Sequence, residues 1–274
     1  MTEDIKRTAP PRRPEMRILI SNDDGINAPG LKIMEHIAHV FTDDVWIVAP
    51  ESEQSGASHS LTLTEPMRIR EISPRKFAAR GTPTDCVMLA VRHIIKDRIP
   101  DLVLSGVNRG GNMGEDVTYS GTVAAAMEGT LLGIPSIALS QFIGGIGRKI
   151  KWGTSEHMAP DIIDKLLDTG WPKEVLININ FPDAVPSAVK NIEVTVQGRR
   201  DIGSLIIEER VDPRGIPYQW FGFDPTPLDI TVPERSDFLT VRNGSVSITP
   251  LHLDLTHHPT VDQLRNSLSD WLSN

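Results

Sequence analysis

The feature that most constrains this chain is an alternation of strand-length apolar runs with segments whose apolar residues recur at helical spacing. "RILISN" (17–22) is followed by a segment from about Gly30 to Val40 that puts Leu31, Met34, Ile37 and Phe41 on one face, and then by "DVWIVAP" (44–50). Strand, helix and strand in that order imply a crossover, so the strands run parallel and both faces of the sheet need covering. "LTLTEPMRIREI" (61–72) alternates with period two around Glu65-Pro66 and reads as a hairpin excursion. Thr82-Pro83 opens a helix, with Thr as cap and Pro in the first turn, that carries Val87, Ala90, Val91, Ile94 and Ile95 at helical spacing. "DLVLSG" (101–106) is a strand, "GTVAAAMEGTLLG" (121–133) a small-residue helix stopped by Gly133, and "IPSIALS" (134–140) another strand. A helix at about 155–169, with Ile162, Ile163, Leu166 and Leu167 apolar, and the strand "VLININF" (175–181) complete the series. The prediction is a doubly wound, mostly parallel, Rossmann-like α/β sheet spanning about 16–190.

From about 191 to 274 the pattern changes to β segments and turns, ending in an amphipathic helix, "VDQLRNSLSDWL". Asp212-Pro213-Arg214-Gly215 lies between alternating stretches and marks the turn of a long hairpin. That hairpin exposes Trp220, Phe221 and Phe223, an apolar patch that predicts packing on another subunit. Residues 1–15, "MTEDIKRTAPPRRPE", are almost without apolar side chains and read as a disordered tail, leaving 16–274 as one domain.

A single cysteine, Cys86, cannot form an internal disulfide, and its apolar helical neighbours make it a small core residue. No apolar stretch is long enough to span a bilayer and no signal-peptide pattern is present, so the expected compartment is the cytoplasm. The net charge of −8 argues against binding a nucleic-acid polymer. An anionic ligand must therefore be attracted locally, by a metal ion or by backbone amides.

In a doubly wound sheet, ligands bind beyond the carboxyl ends of the strands. The loops there are "NDDG" after the first strand, "ESEQSGASHS" after the second and "GVNRGGNMGEDVTYSG" after "DLVLSG". Successive strand residues point to opposite faces, so Asp23 and Asp24 approach one point only if the chain leaves the strand at Gly25. Two carboxylates so close repel, and a divalent cation is the common way to keep both ionised. Ser55 and Asn108 would complete an all-oxygen set, which favours magnesium, manganese or calcium over zinc. Read alone, "NDDG" is an ordinary turn, and no G-x-x-x-x-G-K-[ST] accompanies it, which excludes a P-loop ATPase. The third loop enters a helix through "YSGT", so Ser120, Gly121 and Thr122 lie at a helix N-terminus able to hold an anion. A metal beside such a helix start is phosphoryl chemistry. Asp116 and Glu115 read as shaping the loop, Glu128 as orienting residues behind the site, and His59 as hydrogen-bonding locally. His36, His39, His93, His252, His257 and His258 read as solvated.

"RILISNDDGINAPG", "VAPESEQSGASHSLTL", "GTPTDCVMLA", "PDLVLSGVNRGGNMGEDVTYSGTVAAAMEGTLLGIPSIALS" and "SVSITPLHLDLT" resemble, in the same order, the signature blocks of the SurE family of survival-protein nucleotidases. The resemblance covers Met16 to Thr256 and implies a metal-dependent phosphatase acting on nucleoside 5′-monophosphates. It implies one divalent ion per subunit, magnesium or manganese, on Asp23, Asp24, Ser55 and Asn108, and dimers or tetramers formed through the C-terminal hairpin and arm. Two positions depart from the family pattern: Arg109 stands where His is common after the metal-binding Asn, and Ala124 where Gly is usual. Arg109 is suited to hold phosphate by charge-assisted hydrogen bonds.

The expected reaction is direct attack of water on phosphorus, with Asp23 orienting or deprotonating the water. Asn112, Ser120, Gly121, Thr122 and Arg109 are the expected phosphate or substrate contacts. Two other readings fit the same residues: a broader phosphatase for 3′-nucleotides or short polyphosphate, and a nucleotide-binding sensor without turnover.

Overall fold

The sheet is wound around its first strand. The computed structural model describes residues 10–145, 147–199, 205–223 and 233–272. Their elements are β1 (Ile18–Ser21), α1 (Pro29–Phe41), β2 (Val45–Pro50), β3 (Ile69–Ser73), β4 (Lys76–Ala79), α2 (Pro83–Leu89), β5 (Leu102–Arg109), α3 (Gly121–Leu131) and β6 (Ser136–Gln141). There follow α4 (Trp152–Thr169), β7 (Val175–Phe181), β8 (Ile192–Val194), β9 (Leu205–Val211), β10 (Pro217–Phe223), α5 (Asp237–Arg242), β11 (Val246–His252) and α6 (His258–Leu272). One sheet has the order β3-β4-β2-β1-β5-β6-β7-β11-β8, and β9 and β10 form a separate antiparallel pair. Only β3 against β4 and β7 against β11 are antiparallel within the large sheet. The chain winds outward from β1 to β2 and β4, then returns to β5 on the other side of β1. The winding reverses between β1 and β5, where such sheets bind ligands.

Strand alternation divides the core. Ile18 and Ile20 pack with Leu31, Met34 and Ile37 of α1 and Ile162 and Ile163 of α4, whereas Leu19 packs on the opposite face with Val87 of α2 and Ala125 of α3. Each fully buried Ile or Leu of β1 contributes roughly 1.5–3 kcal/mol by leaving water. The small residues of α3 let it press on the sheet: a Cβ added at Gly129 would lie 2.4 Å from Ser136 Oγ and 2.8 Å from Val103 Cγ2. Thr82 caps α2 reciprocally with Asp85, and the Ser120 hydroxyl caps α3 by accepting from Val123 N at 3.0 Å.

Two expectations are corrected. The hairpin expected over 61–72 pairs Ile69–Ser73 with Lys76–Ala79 instead, turning at Pro74 and at Arg75, whose φ is +64°. Pro66 offers no N–H to a ladder, and Thr62 is held away by Asp85 through its N–H at 3.0 Å and its hydroxyl at 2.6 Å. Residues 1–9 of the expected disordered tail lie outside the described residues, but 10–15 are tied down. Arg13 N donates to Phe41 O at 2.7 Å, and its guanidinium reaches Asp164 and Asp168, each at 2.7 Å, on one face of α4. Cys86 is buried in the core, which raises its thiol pKa well above the usual value. Among the described residues no helix is long and apolar enough to cross a membrane.

Candidate active site

Beyond β1 the chain leaves the sheet through Gly25, at φ +96°, while Asn22 Nδ2 donates to Gly25 O at 3.0 Å. A side chain at Gly25 would be strained at that φ and 3.2 Å from the Ser52 carbonyl carbon, so glycine sets the exit. The exit splits the acidic doublet. Asp23, 4% exposed, turns to the start of α3, where the Thr122 hydroxyl donates to its carboxylate. A Cβ at Gly121 would come within 2.7 Å of Asp23 Cβ, so only glycine admits the strand tip this close to the helix. Asp24 turns toward β5 and accepts from Arg109 N at 3.0 Å.

Burial sets the electrostatics. It pushes the Asp23 carboxyl up to about 6 against the Thr122 hydrogen bond, and the Asp24 charge adds to the rise. Burial raises Asp24 as well, opposed by the Arg109 N–H and assisted by Glu53. Both acids thus stand in surroundings where positive charge is wanted.

The loop after β2 is braced against the same point. Gln54 N donates to Asp23 O at 2.8 Å, and Ser55, beside it, donates to Glu53 Oε1 at 2.8 Å. Ser58 donates through its hydroxyl to Thr118 O at 2.6 Å and through its N–H to Tyr119 O at 3.1 Å. His59 does not bond locally as the sequence suggested: its Nε2 lies 3.0 Å from Oε2 of Glu128, a buried carboxylate on α3. In the third loop, Asn108 Nδ2 donates to Gly110 O at 3.0 Å, which turns the amide oxygen the other way. Asn112 is a brace: its N–H donates to Asn180 Oδ1, its amide to Ser140 Oγ, both at 2.8 Å, and its carbonyl accepts from Asn178 and Asn180.

These loops enclose a cleft of about 820 Å³ lined by Asp23, Ser55, Asn108, Arg109, Asn112 and Ser120. Asp24 adjoins it through Arg109, and Gly121 and Thr122 lie behind Asp23. The cleft is also lined by Glu115, Asp116, Tyr119 and, from β10, Phe221. Sequence reading gave the two acids a shaping role and missed the aromatic pair as cleft residues. Tyr119 had a usable signal in standing directly before the helix cap. For Phe221 the local pattern gave exposure but not direction.

Among the described residues no three His, Cys, Asp or Glu side chains cluster to hold a metal. The donors near the cleft are two carboxylates, a hydroxyl and an amide oxygen. Such an all-oxygen set, with both carboxylates lifted by burial, fits a hard divalent cation.

The family profile described as "Survival protein SurE" matches residues 18–204. A protein named 5′-nucleotidase SurE from Parvibaculum lavamentivorans is 58% identical over 254 residues, covering 92% of this chain and 91% of the relative. A protein of the same name from Paramagnetospirillum magneticum is 56% identical over 252 residues, covering 92% and 95%. The crystal structure of SurE protein from Aquifex aeolicus superposes with a TM-score of 0.78 at 39% identity, covering 94% of this chain and all of that one.

Proposed function

The chain belongs to the survival protein SurE family, and we propose that it is a 5′-nucleotidase whose reaction takes place in the cleft at the β1–β5 reversal. It hydrolyses nucleoside 5′-monophosphates to nucleoside and phosphate. The observation that carries the assignment to this cleft is the buried contact between Asp23 and Thr122, which fixes an acidic strand tip against the start of α3. A carboxylate, an adjacent second carboxylate and a helix N-terminus at one point suit a cation and a phosphate together.

Asp23, Asp24, Ser55 and Asn108 are the residues that would hold one magnesium or manganese ion per subunit. When bound, the ion supplies positive charge to the phosphoryl group and makes water more acidic. Asp23 orients the attacking water and accepts its proton. Thr122 holds Asp23 in place through its hydroxyl and backbone N–H. The Gly121 N–H and the Arg109 guanidinium hold the phosphate oxygens as charge develops. Ser120 caps the helix that presents Gly121, and Asn112 fixes the floor of the cleft by its bonds to β6 and β7. The exposed apolar ribbon of β9 and β10 supports a homodimer or homotetramer, and the buried thiol of Cys86 suits a reducing cytoplasm.

The test is phosphate release from AMP, GMP, CMP, UMP, 3′-AMP and tripolyphosphate with Mg²⁺ or Mn²⁺, each with and without EDTA. The expected result is chelator-sensitive release, greatest from the 5′-monophosphates. Undiminished release in EDTA would remove the metal, and no release from any 5′-monophosphate would remove the activity.

A further inference from the structure

We infer that Phe221, reaching the cleft from the β9–β10 ribbon, is the stacking surface for the nucleobase, with Tyr119 on the core side; this rests on the nucleotidase reading of the same cleft. Alternation along β10 separates its aromatic residues. Tyr218 and Trp220 share one face of the ribbon and pack edge to face on each other, with ring centroids 6.3 Å apart. Phe221 projects from the opposite face, and among the described residues it is the one of the ribbon that lines the cleft. Its side chain remains 70% exposed there, so a ring face is available to a ligand.

The buried and the accessible residues of the cleft lining differ in chemistry. Asp23 and Ser120, 4% and 6% exposed, are buried polar residues of that lining. Tyr119, 54% exposed, is, like Phe221, an accessible aromatic residue of the lining. Its backbone is fixed by N–H donation to Asp116 O at 3.0 Å and by acceptance from Ser58 N at 3.1 Å. A volume of about 820 Å³ has room for a base and sugar besides a phosphate. Aromatic faces accept any base by stacking, so the site favours nucleotides over base-free sugar phosphates without selecting one base strongly.

The experiment compares kcat/KM for AMP and for ribose 5-phosphate with MnCl₂ in the wild type, Phe221→Ala, Phe221→Leu and Phe221→Trp. The wild type is expected to prefer AMP. The AMP-to-ribose 5-phosphate ratio falls about tenfold in Phe221→Ala and Phe221→Leu, through KM rather than kcat, and is retained in Phe221→Trp. Inhibition by adenosine, which lacks the phosphate, weakens in parallel. The leucine variant keeps apolar bulk without a π face and so separates stacking from packing. Size-exclusion elution reports whether the assembly is intact. An unchanged ratio in Phe221→Ala, or a ratio kept in Phe221→Leu but lost in Phe221→Trp, overturns the proposal. A wild type that cleaves both substrates without preference overturns it while leaving the phosphatase intact. A wild type that cleaves neither overturns the underlying function and the base site with it.

Discussion

The strand-end loops of the core and the β9–β10 ribbon border one cleft but are held by opposite means. Asp23 is enclosed by Thr122, Gly121 and the Gln54 N–H, and Asn112 is held by four hydrogen bonds to β6 and β7. The ribbon has its own ladder of seven residue pairs, while Trp220 and Phe221 stay 59% and 70% exposed. Groups that must be placed to a fraction of an ångström are braced by burial. Those proposed to meet a flat apolar ligand, or a partner surface, stay open. Substitutions in the core should therefore change rate and folding together, and those in the ribbon should change recognition with folding nearly intact.

The largest effect is expected for Asp23→Asn, which keeps the shape and the acceptor for Thr122 but removes a charge. Phosphate release from AMP should fall by about 10³-fold or more. The same substitution should act oppositely on the folded state without metal. The folded pKa of Asp23 stands above its unfolded value, so the fold binds the proton more tightly. Its contribution is therefore most favourable below pH 3.8 and is lost as pH rises to about 6. Urea unfolding of the EDTA-treated protein should show that loss, up to about 3 kcal/mol, in the wild type and not in Asp23→Asn.

Gly121→Ala comes next. The added methyl would meet Asp23 Cβ at 2.7 Å, so the expected cost is about 1–3 kcal/mol of stability together with a 10- to 100-fold loss of rate. Glu128→Ala leaves His59 without its buried partner and frees the Ser55 loop, for about 1–2 kcal/mol in thermal unfolding, and Glu128→Gln should recover part of it. The smallest effect is expected in the ribbon. Trp220→Ser should change unfolding by no more than about 0.5 kcal/mol while shifting the oligomer toward smaller species in sedimentation. A ribbon substitution that unfolds the chain, or a Gly121→Ala protein with full rate, would erase the contrast.

The same division governs what the sequence could reveal. The β1 tip was legible because "RILISNDDG" compresses strand, exit glycine and both acids into adjacent positions, and the "YSGT" helix start is equally local. The doubly wound, mostly parallel character of the sheet followed from strand–helix alternation. What stayed hidden depends on partners far along the chain. Arg13 is ordered by carboxylates 151 and 155 residues away, and His59 by one 69 residues away. Asp85 displaced the expected hairpin by capturing Thr62 across 23 residues. Phe221 could be read as exposed, but the direction of a two-stranded ribbon is set by packing outside its own alternation.

The proposed activity depends on the two carboxylates at the end of β1 gathering a divalent cation. Its most direct test is calorimetric titration of Mn²⁺ into the wild type, Asp23→Asn and Asp24→Asn, without nucleotide. One ion per chain is expected in the wild type, with binding at least tenfold weaker in each variant. Equal affinity in all three proteins would contradict it.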